Sequence, residues 1–311
     1  MMVGKILIEK LNNIDKQLRR SLSDKKCNSG LFINHYTSPE GLKAILSSEQ
    51  LWFSNAKFLN DKSEINYIYS ILPKTPDPYD LLLDEKFFKY IRAITDSFLE
   101  NDTCDIDDIC INPTDFYVAS FSTESDNLEL WNYYTKTSDS VGYNIQFCQP
   151  AFEKAEKSNY YKFISGLVIY DFNTQQKLIR DILNEYNNLY KEYKEEIENS
   201  TISKLNFLKQ LIEILELHNM FFKHNAFENE KEFRCVIYYV KNYDQTSLDF
   251  RIVNGIFLPY LKINFDKTLV TAITISPAND QELLKESLEF YLRQKDYPNV
   301  HIYNSRIPKR Y

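Results

Sequence analysis

The sequence predicts an α+β fold, a mostly antiparallel mixed core with helices around it. Short apolar strands cluster towards both ends of the chain and are too many for a strand–helix alternation. Between the two clusters, residues 174–222 switch to a long helical period. With 311 residues the chain has room for one large domain or two smaller ones.

Residues 1–30 read as a polar helical extension, with a helix from Ile6 to Leu22 and Leu11, Ile14 and Leu18 on one stripe. Residues 31–311 read as a single domain. It opens with a strand over 31–36, Leu-Phe-Ile-Asn-His-Tyr. Thr37-Ser38-Pro39-Glu40 then starts a helix: a hydroxyl cap, Pro at the first helical position and an acid in the first turn. That helix turns Leu42, Ile45 and Leu46 inward and ends near Ser48. Leu51 to Ser54 is a strand, and Asn60-Asp61 caps a helix with Ile65, Ile68, Tyr69 and Leu72 on its apolar face. Pro73, Pro76 and Pro78 break the pattern before a helix from Tyr79 to Leu99. Residues 101–115 are acidic and loop-like. Phe116 to Ser122 is a strand, Asn127 to Tyr134 a short helix, and Val141 to Cys148 and Tyr160 to Tyr170 are extended.

Over 174–222, Leu178, Ile182, Tyr186, Leu189 and Tyr193 keep helical spacing, Asn199-Ser200-Thr201 interrupts it, and Leu205, Leu208, Ile212 and Leu215 resume it. The result is a helical hairpin inserted between strands. Residues 232–240, 250–253, 256–265 and 269–276 are extended, a helix spans 280–293, and Val300 to Tyr303 is a last strand.

Composition narrows the class. Hydrophobic residues make 43% and charged residues 26%, as in soluble globular proteins. A net charge of −7 argues against general electrostatic capture of nucleic acid, while a local basic groove stays open. No window reaches the ~18–20 uninterrupted apolar residues that span a bilayer. A cytoplasmic protein with no membrane partner is expected. Cys27, Cys104, Cys110, Cys148 and Cys235 form no C-x-x-C pair and there are four His, so neither a structural metal nor a disulfide framework is expected.

No P-loop, G-x-G-x-x-G, G-x-S-x-G or H-E-x-x-H sequence is present. Three weaker features place polar groups in apolar strands. In His35-Tyr36-Thr37 the imidazole can donate to a ribose hydroxyl, or serve as a satisfied core or cap histidine. Ser120 and Ser122 put two hydroxyls on one strand face, to brace a ligand or simply as strand residues. Glu230, Glu232 and Arg234 alternate onto one face, where two carboxylates beside a guanidinium tune one another, or where a solvated edge carries Glu–Arg pairs. An Arg fork suits a pyrophosphate, which makes Arg234 and Arg310 the phosphate candidates.

In that order, a His on the first strand, hydroxyls on a middle strand and E-x-E on a late strand resemble ADP-ribosyltransferases. The His start is similar to the diphtheria-toxin branch, the S-x-S and E-x-E to the cholera-toxin branch. Over about residues 31–310 the chain also resembles the bacterial domain-of-unknown-function family numbered 2971. The matching residues are His35-Tyr36-Thr37, Leu59-Asn60-Asp61 with Glu64, Ser120-Phe121-Ser122, Leu130-Trp131 and Gly142-Tyr143. Further on they are Lys223 before Phe227, Glu230-x-Glu232-Phe233-Arg234, Ile275-Ser276-Pro277 and Ser305-x-Ile307-Pro308-x-Arg310.

The resemblance implies an ADP-ribosyltransferase-like split antiparallel sheet with a cleft for NAD, the substrate. His35, with Tyr36 and Thr37, would contact a ribose, and Ser120 and Ser122 would support the cleft. Glu232 would be the catalytic acid, stabilising positive charge as the glycosidic bond breaks, and Glu230 would serve the acceptor. The implied activity is transfer of ADP-ribose to a protein or nucleic-acid acceptor, as a toxin or anti-phage defence effector with an antitoxin or chaperone partner. The alternatives are a non-catalytic nucleotide- or partner-binding module, or a metal-dependent nuclease using Asp61, Glu64 and Glu232. His35, Ser120 and Glu232 are expected to line one cleft, with Arg234 or Arg310 pointing into it or held by Glu230 or Glu64.

Overall fold

A computed structural model describes residues 2–23, 32–59, 66–72, 82–100, 104–106, 109–111, 114–134, 141–152, 155, 157, 159–238 and 248–308. It is an α+β structure that divides into two compact units. One comprises Met1–Lys25, Leu59–Asp115 and Val168–Asn225; the other comprises Lys26–Phe58, Phe116–Leu167 and Ala226–Tyr311. The strands, in chain order, are β1 (Phe32–Thr37), β2 (Gln50–Asn55), β3 (Cys104–Ile106), β4 (Ile109–Ile111), β5 (Tyr117–Ser122) and β6 (Tyr143–Cys148). They continue as β7 (Lys162–Leu167), β8 (Glu232–Tyr238), β9 (Leu248–Val253), β10 (Ile256–Asn264), β11 (Val270–Ile275) and β12 (His301–Asn304).

The first unit is helical. Helix Thr201–Asn219 is apolar nearly all round, with Leu208, Leu211, Ile214, Leu215 and Leu217 fully buried, the pattern of a core helix. Helix Met2–Ser23 packs against it, burying Leu7, Leu11, Leu18 and Leu22. Ser200 interrupts the hairpin as expected, and its side chain caps the second arm by accepting from the Ser203 N–H. Tyr67–Ile71 buries Ile68 and Tyr69, while Asn60, Asp61, Ile65 and the prolines 73, 76 and 78 lie outside the described residues. The stretch expected to be loop-like holds the antiparallel pair β3–β4. Strands of three residues carry too little alternation for the period to be read.

The second unit holds a ten-strand sheet, antiparallel except where β11 pairs β12. Its main order is β12-β11-β6-β1-β5-β2-β10-β9, with β8 on β5 and β7 on β8. β8 runs along β5 from Tyr117 to Ser122. β1 meets β5 at Asn34↔Ser122, and β2 meets it at Val118 and Tyr117. Residues paired on both sides show that β1 and β2 share the β5 edge opposite β8. The sheet therefore parts along that edge, between Ala119 and Phe121.

One sheet face is apolar. Ile33, Phe53, Phe121, Phe147, Phe233 and Ile273 join a single core with Leu42, Ile45 and Leu46 of helix Pro39–Ser48 and Leu288 and Leu292 of helix Gln281–Gln294. The Pro39–Ser48 helix begins as its sequence predicts, with Ser38 accepting from the Gly41 N–H and Pro at the first helical position.

Candidate functional site

Register decides which motif residues meet. Glu232, Ser122 and Asn34 stand in one cross-strand row, and Arg234 faces Ser120 in the next. Directly paired residues share a face, so these five side chains lie on the face opposite the apolar core. Four are buried, and Ser120 is exposed at the parting of the sheet.

Glu232 does not stand free. Arg234 Nε and Nη2 donate to its Oε1 and Oε2 at 2.7 and 3.0 Å, a bidentate pair with side chains only 5% and 7% exposed. This corrects two expectations. The strand is no solvated edge, because β8 sits between β5 and β7. Arg234 makes its bidentate pair with Glu232, a partner not expected for it. Glu230 also leaves the expected strand register: it ends the turn Asn225–Glu230, and Lys231 at φ 45° breaks the alternation before β8. Glu64 and Arg310 lie outside the described residues.

His35 emerges on the other face. It contacts the Phe121 ring edge-on at 5.6 Å, and its Nδ1 lies 3.1 Å from the Ser120 carbonyl. A carbonyl only accepts, so Nδ1 carries the proton and Nε2 is left as the acceptor. Burial lowers the imidazole pKa, and the Ser120 bond opposes that shift more weakly. The ring thus serves a strand-edge carbonyl where β1 has left β5. His35 and Glu232 do not line one surface as expected, because Asn34, not His35, shares the Glu232 row.

The remaining motif residues secure turns. Ser122 Oγ donates to the Glu230 carbonyl at 2.7 Å and accepts from the Glu124 N–H at 3.1 Å. Tyr36, on the polar face, donates to the Glu124 carbonyl, accepts from the Asn127 N–H and packs edge-on to Trp131; burial raises its phenol pKa strongly. Thr37 ends β1 against Gly41, where an added Cβ would lie 2.0 Å from Thr37 Oγ1. Asp126 binds Trp131 Nε1, Ser305 Oγ and the Arg306 N–H, fastening the segment after β5 to the one after β12. Gly142 and Ser276 exchange two bonds, Ser276 Oγ accepting from Gly142 at 2.9 Å.

Sequence reasoning missed Asn34, Asn144 and Asp126. Asn144 Nδ2 donates to the Ser125 carbonyl, and its buried Oδ1 has no hydrogen-bond partner among the described residues. The available signal was a polar residue at an inward strand position in both Ile33-Asn34-His35 and Tyr143-Asn144-Ile145. Among the described residues no three His, Cys, Asp or Glu side chains converge as metal ligands; Asp61 lies outside them. No helix among them is long and apolar enough to cross a membrane.

A family model described as "Protein of unknown function (DUF2971)" matches residues 130–235. The match takes in Trp131, Asn144, Glu232 and Arg234 and leaves out His35, Ser120 and Ser122. No curated protein and no solved structure matches the chain.

Proposed function

We propose that this chain is an ADP-ribosyltransferase-like protein that takes NAD as substrate and passes ADP-ribose to a macromolecular acceptor. The observation that carries the reading is the adjacency of β1, β5 and β8, the strands of His35, Ser120 and Glu232, beside a parting of the sheet where Ser120 is exposed. In this reading Asn144 Oδ1, on the Glu232 face, accepts from a ribose hydroxyl, while His35 on the other face braces the Ser120 carbonyl at the parting. Glu232 opposes positive charge developing on the nicotinamide ribose, while Arg234 orients that carboxylate. Glu230 serves the acceptor, and Arg310 is the remaining phosphate candidate. A cytoplasmic toxin or anti-phage effector, with an antitoxin or chaperone partner, is the setting this chemistry suits.

The Glu232–Arg234 pair favours a second reading, a non-catalytic nucleotide- or partner-binding module. A carboxylate clamped by two charge-assisted bonds has less capacity left for a reacting sugar. Incubation with labelled NAD and cell extract, with and without EDTA, separates the readings, with calorimetry of NAD binding alongside. Labelled product that survives EDTA supports the transferase, and Glu232→Gln should then slow transfer by about 10²–10³ with little change in NAD affinity. NAD binding without product supports the module. Neither binding nor product defeats the transferase and leaves the partner-binding module, and metal-dependent cleavage of nucleic acid would move the assignment to a nuclease.

A further inference from the structure

We propose that β9 is a self-association edge, pairing antiparallel with β9 of a second copy about a two-fold axis at Phe250. β9 ends the strand order among the described residues, and β2 leaves β10 at Tyr260↔Ser54. Beyond that point β9 and β10 continue as a two-strand arm to the Asn254-Gly255 turn, whose φ angles of 50° and 81° suit a tight hairpin. Val253↔Ile256 closes this turn, so the main-chain groups of Leu248, Phe250 and Ile252 face away from β10. Opposite Phe250 stands Pro259, which has no N–H to give.

The arm is apolar where it is bare. Phe250, Ile252, Ile256 and Phe257 are each 53–66% exposed, and Val253 is 41% exposed. Phe250, Ile252 and Phe257 share one face of the arm and Val253 and Ile256 the other, and edge pairing would set Phe250 on Phe250 and Ile252 on Leu248 of the second copy. Charge selects the register. Centred on Phe250, the pairing sets Leu248 against Ile252 and Asp249 against Arg251 of the other copy. Centred on Arg251, it would set two guanidinium groups together.

Two local contacts fit this exchange. Asp249 Oδ1 accepts from the Phe250 N–H at 2.8 Å, guarding the edge until a strand replaces it. Arg251 Nη2 donates to Ser54, while its buried Nε has no hydrogen-bond partner among the described residues. The carboxylate arriving from the second copy would be its Asp249, exchanging Lys262 at 2.6 Å and the Tyr260 hydroxyl at 3.1 Å for the Arg251 guanidinium.

Sedimentation velocity of the full chain between about 1 and 100 µM, the range of weak strand-edge association, tests this. The mass is expected to double over that range. Ile252→Lys should keep the protein monomeric, and Arg251→Glu should weaken the dimer at least about tenfold. Phe250→Cys should give a disulfide-linked dimer on mild oxidation, because directly opposed strand residues lie within bridging distance. A monomer throughout overturns the proposal, as does a dimer that Ile252→Lys leaves intact. Pelleting of a monomer with zwitterionic vesicles also overturns it, by assigning the arm to lipid.

Discussion

The helical unit and the sheet unit bury polar groups in different ways. In the helical unit charges meet charges. Arg19 joins Asp15 at 2.6 Å and Glu213 at 2.5 Å, and Glu198 collects Lys86, Lys204, Tyr90 and Tyr190. In the sheet unit Asn34, Asn144, Ser122, Ser276 and Tyr36 bind main-chain groups. The cause is backbone chemistry. A helix interior satisfies its own peptides, so charged side chains buried there pair with one another, while neutral ones such as Gln175 and Asn219 meet main-chain groups at helix ends. Strand ends and the turns after them leave N–H and C=O groups that side chains must meet. The Glu232–Arg234 pair is the sheet's departure from its own rule, which is one reason it draws attention as a site.

The largest effect should come from breaking that departure. Glu232→Ala takes the bidentate carboxylate from a buried guanidinium and should cost about 3 kcal/mol in chemical denaturation, whereas replacing both partners by apolar residues should cost far less. Loss below about 1 kcal/mol for the single change would mean that the pair is hydrated, and the contrast with the solvent-exposed motif Ser120 would fail.

Acid should find the helical unit first. His218 is buried with its pKa lowered to about 4 by desolvation, its Nδ1 donating to the Ile214 carbonyl at 2.8 Å. In Glu198 desolvation is outweighed by bonds from Lys86, Tyr90 and Tyr190, and the pKa falls to about 2. Both folded values lie below the unfolded ones of 6.5 and 4.5, so both contributions are complete above those values and disappear as pH falls. Between pH 6.5 and 4 the His218 contribution, about 3 kcal/mol, should be lost; Glu198 follows between 4.5 and 2 with about 1–2 kcal/mol. His218→Gln should flatten the first step in a stability–pH series. An unchanged slope would show that the imidazole is solvated.

The smallest effect tests the sheet's habit of meeting backbone groups with side chains. Ser38→Ala removes the acceptor for the Gly41 N–H and should cost about 1 kcal/mol, read as a shift in denaturation midpoint without a change in slope. A neutral result would place the start of that helix under packing control by Leu42 and Leu46.

Local chemistry made much of the element order legible. The Ser38-Pro39 start, the Ser200 interruption and the alternation of β6 are written in neighbouring residues, so the sequence by itself determined them. The three motifs could be found, because each sets polar groups in an apolar run. Their meeting could not. Strand order placed β8, β5 and β1 side by side, and register put Asn34 rather than His35 in the Glu232 row. Lys231 at φ 45° removed Glu230 from the strand, and the closeness of Arg234 turned a candidate acid into half of a buried ion pair. Periodicity acts over a few residues, whereas these outcomes depend on pairings about 90–110 residues apart. A one-residue slip there exchanges every side chain between the two faces, which is why only the tertiary structure decided the site.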